Sequence, residues 1–202
     1  MNLNLDVRAN KMRIYDLKGK RLFLYQDEIQ EMLLIAEDVH LLLRTFVETL
    51  IYTGCRISEA LNMTRKDIHY HQQKITLKSQ NRSGPVFRDV PVPHNYIDTL
   101  VAVHSILGGN DNNYEVKKPL WKWTRQHAYE LIQELMIRSG VPAGGHRNPK
   151  GIRHAYGVNA VLCSVPLPFL KKWMGHSHIS TTAIYVTCLQ LDEKELVKRM
   201  WA

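Results

Sequence analysis

Residues 171–186 read KKWMGHSHISTTAIYV, and this stretch decides how the rest of the chain is interpreted. A single tyrosine, Tyr185, stands nine positions after His176 (185 − 176 = 9), behind a run of small hydroxyl side chains. A phenol is able to attack phosphorus and form a covalent phosphotyrosyl ester. An isolated tyrosine behind two threonines is more often a packing residue, so the role of Tyr185 depends on its companions elsewhere in the chain.

The composition favours a polyanionic partner. The 202 residues include 27 Lys+Arg and 19 Asp+Glu, a net charge of +8, which attracts nucleic acid or an acidic membrane face. No apolar run reaches the ~18 residues that span a bilayer, and the first residues lack the apolar core of a secretory signal. The three cysteines form no CxxC pair, which favours a reducing compartment. We therefore expect a cytoplasmic protein, nucleoid-associated when bound to DNA, without a membrane partner.

Basic side chains are concentrated at the N-terminus. Residues 1–25 carry six basic and two acidic side chains, a net charge of +4 (6 − 2 = 4). We interpret this segment as a basic, flexible arm that follows a phosphate backbone, although a poorly ordered terminus without a role fits equally well. The candidate DNA contacts are those of the arm and one arginine of a later loop: Arg8, Lys11, Arg13, Lys18, Lys20, Arg21 and Arg82.

The central part of the chain changes from helical to strand periodicity. Residues 26–52 carry apolar side chains at helical spacing with a break at 37–40, which predicts two amphipathic helices, the second ending at Gly54. A short helix should begin near Ile57. Alternation at residues 75–78, followed by valines after a polar loop, predicts a β-hairpin or a three-stranded sheet.

Helical patterns return after this sheet, and they end in an amphipathic tail. Asn148 followed by a proline is typical of a helix start, and the tail at 189–202 predicts a helix whose apolar face requires a partner surface. We expect a mainly α protein with a small antiparallel β-sheet (α+β), whose main domain comprises residues 26–202. The predicted later helices are 95–107, 124–139, 150–163, 169–174 and 181–188.

Cleavage of a phosphodiester without metal requires a nucleophile, cations on the non-bridging oxygens and an acid for the leaving oxygen. Arg56 and Arg153 carry guanidinium groups suited to paired contacts with phosphate. Lys78 borders the polar hairpin loop and is able to protonate a leaving alkoxide. Each of these residues alone is an ordinary surface charge, so only the combination indicates chemistry.

Two further side chains suit an anion. Lys150 and Arg153 lie three positions apart at a helix start, where the positive end of the helix also favours a phosphate. His176 follows Gly175 at the end of a short helix and should point from a turn. In isolation, a histidine in this position is a capping or core residue.

Taken in order, these segments resemble the tyrosine recombinase (phage integrase) family over about residues 26–186. TGCRISEAL (53–61) is similar to its first arginine segment, with Arg56 and Glu59, and ITLKSQNRSGPVFRDVPVP (75–93) to its hairpin. KGIRHAYG (150–157) resembles the second box, usually His-x-x-Arg, and WMGHSHISTTAIYV (173–186) resembles the segment of the last histidine and the nucleophile. The resemblance assigns the catalytic set Arg56, Lys78, Lys150, Arg153, His176 and Tyr185.

The resemblance implies a catalytic-domain fold of that family and a site-specific DNA recombinase without a cofactor. Tyr185 would attack the scissile phosphate and form a 3′-phosphotyrosyl link, and a 5′-hydroxyl of a partner strand would reverse the step. Arg56, Arg153 and His176 would stabilise the pentacoordinate phosphorus, and Lys78 would protonate the leaving oxygen. The implied partners are double-stranded DNA with specific recombination sites, further copies of the protein in a synaptic tetramer, and accessory DNA-bending proteins. The outcome would be integration, excision, inversion or resolution of a mobile element.

The sequence departs from the family pattern in two places. Lys150 stands where histidine is usual, and a lysine with a reference pKa of ~10.4 holds a phosphate but is no near-neutral base. The family usually has a helical core-binding domain ahead of the catalytic one, whereas residues 1–25 alone precede the match here, a short build similar to that of the fimbrial inversion recombinases. The tail helix would dock on a neighbouring protomer or pack on its own domain, and both remain open.

Three other interpretations remain. A DNA-binding accessory or regulatory protein would keep the fold with weak catalysis. A type IB topoisomerase would share the chemistry without exchanging partner strands. A metal hydrolase would use His69-x-His71 and His176-x-His178, although no Asp, Glu or Cys cluster accompanies them at ligand spacing.

Overall fold

The computed structural model describes residues 13–81, 84–107, 117–189, 197 and 201. Within these residues the chain is mainly helical with one small antiparallel sheet, which confirms the predicted fold class. The strands are β1 Ile68–His69, β2 Lys74–Asn81 and β3 Gly84–Pro91. The helices are α1 Gln26–Glu37, α2 Leu41–Thr53, α3 Ile57–Leu61, α4 His94–His104, α5 Arg125–Arg138, α6 Pro149–Leu162, α7 Leu167–Met174 and α8 Ile179–Ala183.

The buried helix α2 lies in the main core, as its apolar sequence predicts, and contacts α1, α4 and α6. His40 begins it by accepting the Leu42 N–H at Nδ1, which explains the predicted break before the helix. Gly54 ends it in the left-handed conformation, at φ 58°, which favours glycine. A Cβ at Gly54 would also lie 2.5 Å from the Tyr156 ring, so α6 packs closely on this turn.

The sheet has three strands in the order β1-β2-β3, with both pairs antiparallel, so the three-stranded alternative is the one observed. The strand alternation in β2 places Leu77 and Ser79 on the buried face. Lys78 lies between them on the exposed face, directly opposite Phe87 of β3. The alternation of side chains along β2 therefore determines which of them face the interior.

The helix α6 separates the main core from a second hydrophobic cluster. Asn148 caps α6 by accepting the N–H groups of Lys150 and Gly151, with Pro149 in the first turn, as the sequence predicts. The second cluster joins α6 and α7 to the end of the described chain and to the N-terminal segment. Its buried members are Ile14, Phe23, Val158, Ala160, Val161, Leu170, Met174 and Tyr185.

Residues 13–25, the described part of the predicted arm, pack against the domain. Ile14 and Phe23 are buried in the second cluster, and a β-bridge pairs Tyr15 with Arg21. The segment lies against the domain because it also carries apolar side chains, and Ile14 and Phe23 are buried there. Arg8 and Lys11 of the arm, and Arg82 of the hairpin, lie outside the described residues.

The end of the chain departs from the predicted helix boundaries. The helix predicted at 181–188 is two elements, α8 and a 3₁₀ turn at Ile184–Cys188 that carries Tyr185. Most of the helix predicted at 189–202 lies outside the described residues. Among the helices that the structure describes, none combines the length and apolar character needed to cross a lipid bilayer.

Candidate active site

Arg153 is the buried centre of the candidate site, with 4% of its surface exposed. Its Nη1 donates to the Gly54 carbonyl at 2.6 Å and its Nη2 to the Met174 carbonyl at 2.6 Å. The guanidinium thereby joins the end of α2 to the end of α7. Burial, and then the nearby Arg56 charge, lower the pKa of Arg153 to about 10, so the group stays cationic at neutral pH.

Arg56 begins α3 and is held by the carboxylate of Glu59. The Arg56 backbone N–H donates to Glu59 Oε2 at 2.8 Å, and its Nη1 donates to Oε1 at 3.0 Å. Half of the Arg56 side chain is exposed, at 50%, so this arginine faces the solvent side of the site. Burial alone would raise the pKa of Glu59, but hydrogen bonds and charge from Arg88 lower it to about 2, so Glu59 is ionised.

Arg88 is a member of this cluster that sequence reasoning missed. It pairs with Glu59 at 2.8 Å, donates to Ser79 Oγ at 2.6 Å, and its Nε donates to the Trp173 carbonyl at 2.7 Å. A signal was present in the sequence, because Arg88 occupies the face of β3 that also carries the buried Val90. A charged residue on the apolar face of a strand requires a buried partner.

His176 follows Gly175, which ends α7 in the left-handed conformation at φ 65°. Its Nδ1 shares a hydrogen bond with Thr182 Oγ1 at 3.0 Å, while its buried Nε2 makes no hydrogen bond within the described part of the chain. Burial and the charges of Arg153 and Arg56 lower the pKa of His176 to about 3. His176 is therefore neutral at pH 7, and it would contribute a hydrogen bond rather than a third cation.

Tyr185 faces inward and has no exposed surface. Its ring stacks on His176 with centroids 6.4 Å apart and lies on Gly157, where a Cβ would come within 2.5 Å of the ring. Its hydroxyl forms a hydrogen bond with Nδ1 of His154 at 3.2 Å. Burial raises the pKa of Tyr185 to about 12, although the charges of Arg153 and Arg56 act in the opposite direction. In this conformation a DNA phosphate cannot reach the phenol oxygen.

His154 is the second residue of this region that sequence reasoning missed. It is fully buried, and burial, with the charges of Lys150 and Arg153, lowers its pKa to about 4. Its Nε2 makes no hydrogen bond to any residue that the structure describes. His154 and Gly157 are three positions apart on α6, and this spacing places both against Tyr185.

The two lysines of the predicted set do not join the buried cluster. Lys78 is exposed, and its ammonium lies 5.9 Å from the centre of the Phe87 ring. Lys150 is exposed in the first turn of α6, near enough for its charge to act on His154. The structure thus gathers four of the six predicted residues: Arg56, Arg153, His176 and Tyr185.

A cleft of about 510 Å³ opens beside this cluster, between the β2–β3 hairpin and α7. His176 and Arg88 lie in its wall, and Lys171 and Lys172 add positive charge. A wall of this composition attracts a phosphate backbone. The site therefore has an approach from solvent on the side of the hairpin.

The basic residues of the N-terminal segment differ in their availability. Arg13, Lys18 and Lys20 are exposed. Arg21 is half-buried and donates to the Glu28 carboxylate and to the Phe23 carbonyl. Its guanidinium is therefore engaged within the domain, whereas the other three face solvent.

Two of the four histidines considered as metal ligands have other hydrogen bonds. His69 Nε2 bonds with Thr76 at 2.8 Å, and His176 bonds with Thr182. In the described ranges, no three His, Cys, Asp or Glu side chains gather in a way that could hold a metal ion.

Comparisons with known proteins find tyrosine recombinases among the similar sequences. The tyrosine recombinase of Thermosipho africanus is 24% identical over 185 residues, covering 88% of this chain and 61% of the relative. The tyrosine recombinase XerD of Mycobacterium tuberculosis is 26% identical over 167 residues, covering 79% of this chain and 50% of the relative. The chain thus spans between half and about three-fifths of the length of these relatives.

A solved structure shares the fold. The crystal structure of the XerH site-specific recombinase, bound to a palindromic difH substrate in a post-cleavage complex, matches with a TM-score of 0.71 and 17% identity. The match covers 97% of this chain and 58% of XerH. The model of the phage integrase family matches residues 22–190, which include all six candidate catalytic residues. This chain therefore belongs to the phage integrase family.

Proposed function

We propose that this protein is a site-specific DNA recombinase that cleaves and rejoins strands through a 3′-phosphotyrosyl link at Tyr185. The observation that carries the proposal is the gathering of Arg56, Arg153 and His176 around one tyrosine at the edge of a basic cleft. Positive charge and hydrogen-bond donors at one point suit the charge that develops on phosphorus during transfer. Family membership supports the same class of reaction.

The arginines and His176 hold the phosphate in this mechanism. Arg153 uses two donors on carbonyls and keeps three of its five N–H groups for the non-bridging oxygens. Arg56 offers its exposed edge from the other side. His176, neutral at pH 7, donates from Nε2, which is the ring nitrogen without a hydrogen bond in the described structure.

The transfer step exchanges one ester for another. The phenol of Tyr185 loses its proton to solvent and its oxygen forms a bond to phosphorus as the bond to the 5′-oxygen breaks. Lys78 supplies a proton to the leaving oxygen, and Lys150 holds the neighbouring phosphate at the positive end of α6. Rejoining by a 5′-hydroxyl of a partner strand reverses these transfers.

Two rearrangements accompany DNA binding in this proposal. Tyr185 leaves its pocket against Gly157 and His154, because its oxygen is inaccessible in the free protein. Lys78 comes from the exposed face of β2 to the scissile phosphate by movement of the hairpin or by contact with the DNA groove. Both side chains would be placed by the DNA rather than by the free fold.

The proposed partner is double-stranded DNA carrying specific recombination sites. The net charge of +8, the exposed Arg13, Lys18 and Lys20, and the relationship to a recombinase solved with its DNA substrate support this choice. Exchange of strands between two sites requires four cleaving protomers, so we propose a tetramer in the synapse, with accessory DNA-bending proteins aiding its assembly.

The second candidate function is a DNA-binding accessory protein with weak catalysis. The observation that favours it is the inward-facing Tyr185, which offers no nucleophile at the surface. DNA binding without covalent chemistry would then be the principal activity.

The deciding experiment looks for a covalent adduct in the presence of EDTA. The protein is incubated with nicked oligonucleotides or supercoiled plasmid drawn from its own locus, and DNA-linked protein is resolved on a denaturing gel. We expect an adduct with the natural sequence and none with Tyr185→Phe. Tyr156→Phe is the matched control, since Tyr156 is a half-buried neighbour on α6, and it should keep the adduct. Retarded DNA without any adduct would favour the accessory protein instead.

A further inference from the structure

We propose that Arg88 acts through its neighbours, as a positioning residue that sets the places of Arg56 and His176 in the candidate site. The inference rests on the proposed function for its effect on rate and on the structure for its geometry. Arg88 is 7% exposed and contacts three separate elements: Glu59 of α3, Ser79 of β2 and the Trp173 carbonyl of α7.

The first line of action runs through Glu59. Arg88 Nη1 and Nη2 donate to the two oxygens of this carboxylate at 3.1 and 2.8 Å, which fixes its orientation. Ser79 Oγ adds a donor to Oε1 at 2.6 Å. The same two oxygens accept from Arg56. The buried Arg88 therefore holds the half-exposed Arg56 in place through the carboxylate of Glu59.

The second line of action runs through the end of α7. The last carbonyls of a helix lack partners within the helix and favour cations. Arg88 donates a hydrogen bond to the Trp173 carbonyl, and Arg153 donates one to the next carbonyl, that of Met174. The Arg88 guanidinium also lies beneath Gly175, where a Cβ would stand 3.1 Å from it. His176 is the next residue, so Arg88 supports the turn from which the His176 side chain projects.

The charges of the cluster match the reaction. The charges of Arg56, Arg88 and Arg153 interact with the carboxylate of Glu59, and these four groups together carry a net charge of +2 (3 − 1 = 2). A phosphodiester attacked by a phenolate passes through a species that carries about two negative charges. An apolar residue at Arg88 would fill the space but would leave Glu59 to draw Arg56 inward and reduce the positive charge at the site.

The test compares Arg88→Lys with the natural sequence on a nicked DNA substrate. Lysine keeps the charge but loses the planar fork that reaches Glu59, Ser79 and the Trp173 carbonyl together. We expect the rate of adduct formation at saturating DNA to fall roughly a hundredfold, as a misplaced catalytic group does, with DNA affinity nearly unchanged. Arg44→Lys is the control, since Arg44 makes a comparable ion pair with Glu48 at 3.0 Å on α2, and it should react at the natural rate.

A residue that acts through Arg56 gives non-additive effects. The combined cost of Arg88→Lys and Arg56→Ala should be smaller than the product of the separate costs by a factor of ten or more. Full multiplication of the two costs, or an unchanged rate for Arg88→Lys, would overturn the inference. Ser79→Ala, which removes one link between Glu59 and Arg88, should give a smaller loss and serves if Arg88→Lys does not fold.

A measurement without DNA separates this inference from the proposed function. In ¹⁵N-labelled protein, relaxation of the Nε–Hε signals measures the motion of each arginine side chain. The Arg56 side chain should become mobile on the nanosecond timescale in Arg88→Lys, whereas that of Arg21 should not change. An Arg56 signal that stays as rigid as in the natural sequence overturns the positioning role, whatever the rate does. If the natural protein forms no adduct but the Arg56 signal changes, the recombinase proposal fails and the positioning role stands.

Discussion

The buried and exposed halves of the candidate site are built in different ways. Arg153, His176 and Tyr185 lie in the interior, where backbone carbonyls, Thr182 and His154 fix their positions before any ligand arrives. Lys78 and Lys150 lie on the surface. The fold itself therefore positions the residues that would hold the phosphate, and DNA would position the lysines.

This difference has an energetic counterpart. Burial shifts the pKa values of the interior residues, lowering those of Arg153 and His176 and raising that of Tyr185. Substitution of an interior residue should therefore change both the stability and the reaction. Substitution of an exposed lysine should change the reaction alone. Substitutions at three places, in order of decreasing effect on the free energy of unfolding, and one change of pH test this division.

Arg153→Ala should have the largest effect of the substitutions. It leaves the Gly54 and Met174 carbonyls without a donor, and an unsatisfied buried group costs about 1–3 kcal/mol, so we expect a loss of about 3 kcal/mol in urea unfolding. Loss of a phosphate donor should also slow adduct formation roughly 1,000-fold. Arg138→Ala, an exposed change on α5, should leave both quantities unchanged. If Arg153→Ala had the same free energy of unfolding as the natural sequence, the buried half of the site would not contribute to stability, and the distinction between the two halves would fail.

Lowering the pH from 7 to 5 should destabilise the fold through its buried histidines. The pKa values of His104 and His154 are lowered to about 4, and that of His176 to about 3, so the unfolded chain binds more protons than the folded one in this range. Stability is then lost as the pH falls below the unfolded pKa, by about 1–2 kcal/mol for each histidine at pH 5.

The urea midpoint at both pH values measures this loss. His104→Gln, a change remote from the candidate site, should remove the contribution of one histidine to the pH dependence of stability. His127→Gln, at an exposed position, is the control. Equal midpoints at pH 7 and pH 5 would show that the histidines are not held neutral by burial.

Gly157→Ala should move Tyr185 from the buried half towards the exposed one. The new Cβ would lie 2.5 Å from the ring, and overpacking of this kind costs about 1–3 kcal/mol. We expect lower stability and faster nitration of Tyr185 by tetranitromethane, located by mass spectrometry. Asn159→Ala, an exposed change on the same helix, is the control. A gain in stability, as helix propensity alone predicts, with Tyr185 still unreactive, would contradict the tight packing.

Lys150→Met and Lys78→Met should have the smallest effect on stability, within about 0.5 kcal/mol. Both should slow adduct formation. Lys150→Met should also reduce the slope of DNA affinity against salt concentration by about one, because one phosphate contact is lost. Lys122→Met, another exposed lysine, should change neither quantity. A destabilised Lys150→Met would show that this lysine contributes to the fold.

The local sequence was sufficient for the elements that carry the site. The helix boundaries around Gly54 and Asn148 follow from a residue with a positive φ and from a side-chain cap, both of which act within a few positions. The family motifs then located Arg56, Arg153, His176 and Tyr185, which the structure brings together.

What the sequence did not reveal depends on contacts between distant segments. Arg88 is 29 positions from Glu59, and the Tyr185 hydroxyl bonds to His154 from 31 positions away. The inward orientation of Tyr185 depends on the absence of a side chain at Gly157, which no motif records as a pocket. The charge of residues 13–25 suggests an arm, whereas the burial of Ile14 and Phe23 depends on a cluster formed by distant helices.

The buried Tyr185 hydroxyl would also limit DNA cleavage at incorrect sites. Under the proposed function, a protomer on random DNA would first have to release Tyr185, and if the released form makes up ~1% of the population, the rate of accidental nicking would fall about 100-fold. The correct sequence would escape this penalty only if its binding energy favoured the released form. Under the proposed function, the pocket formed by Gly157, His154 and His176 would serve as a proofreading step.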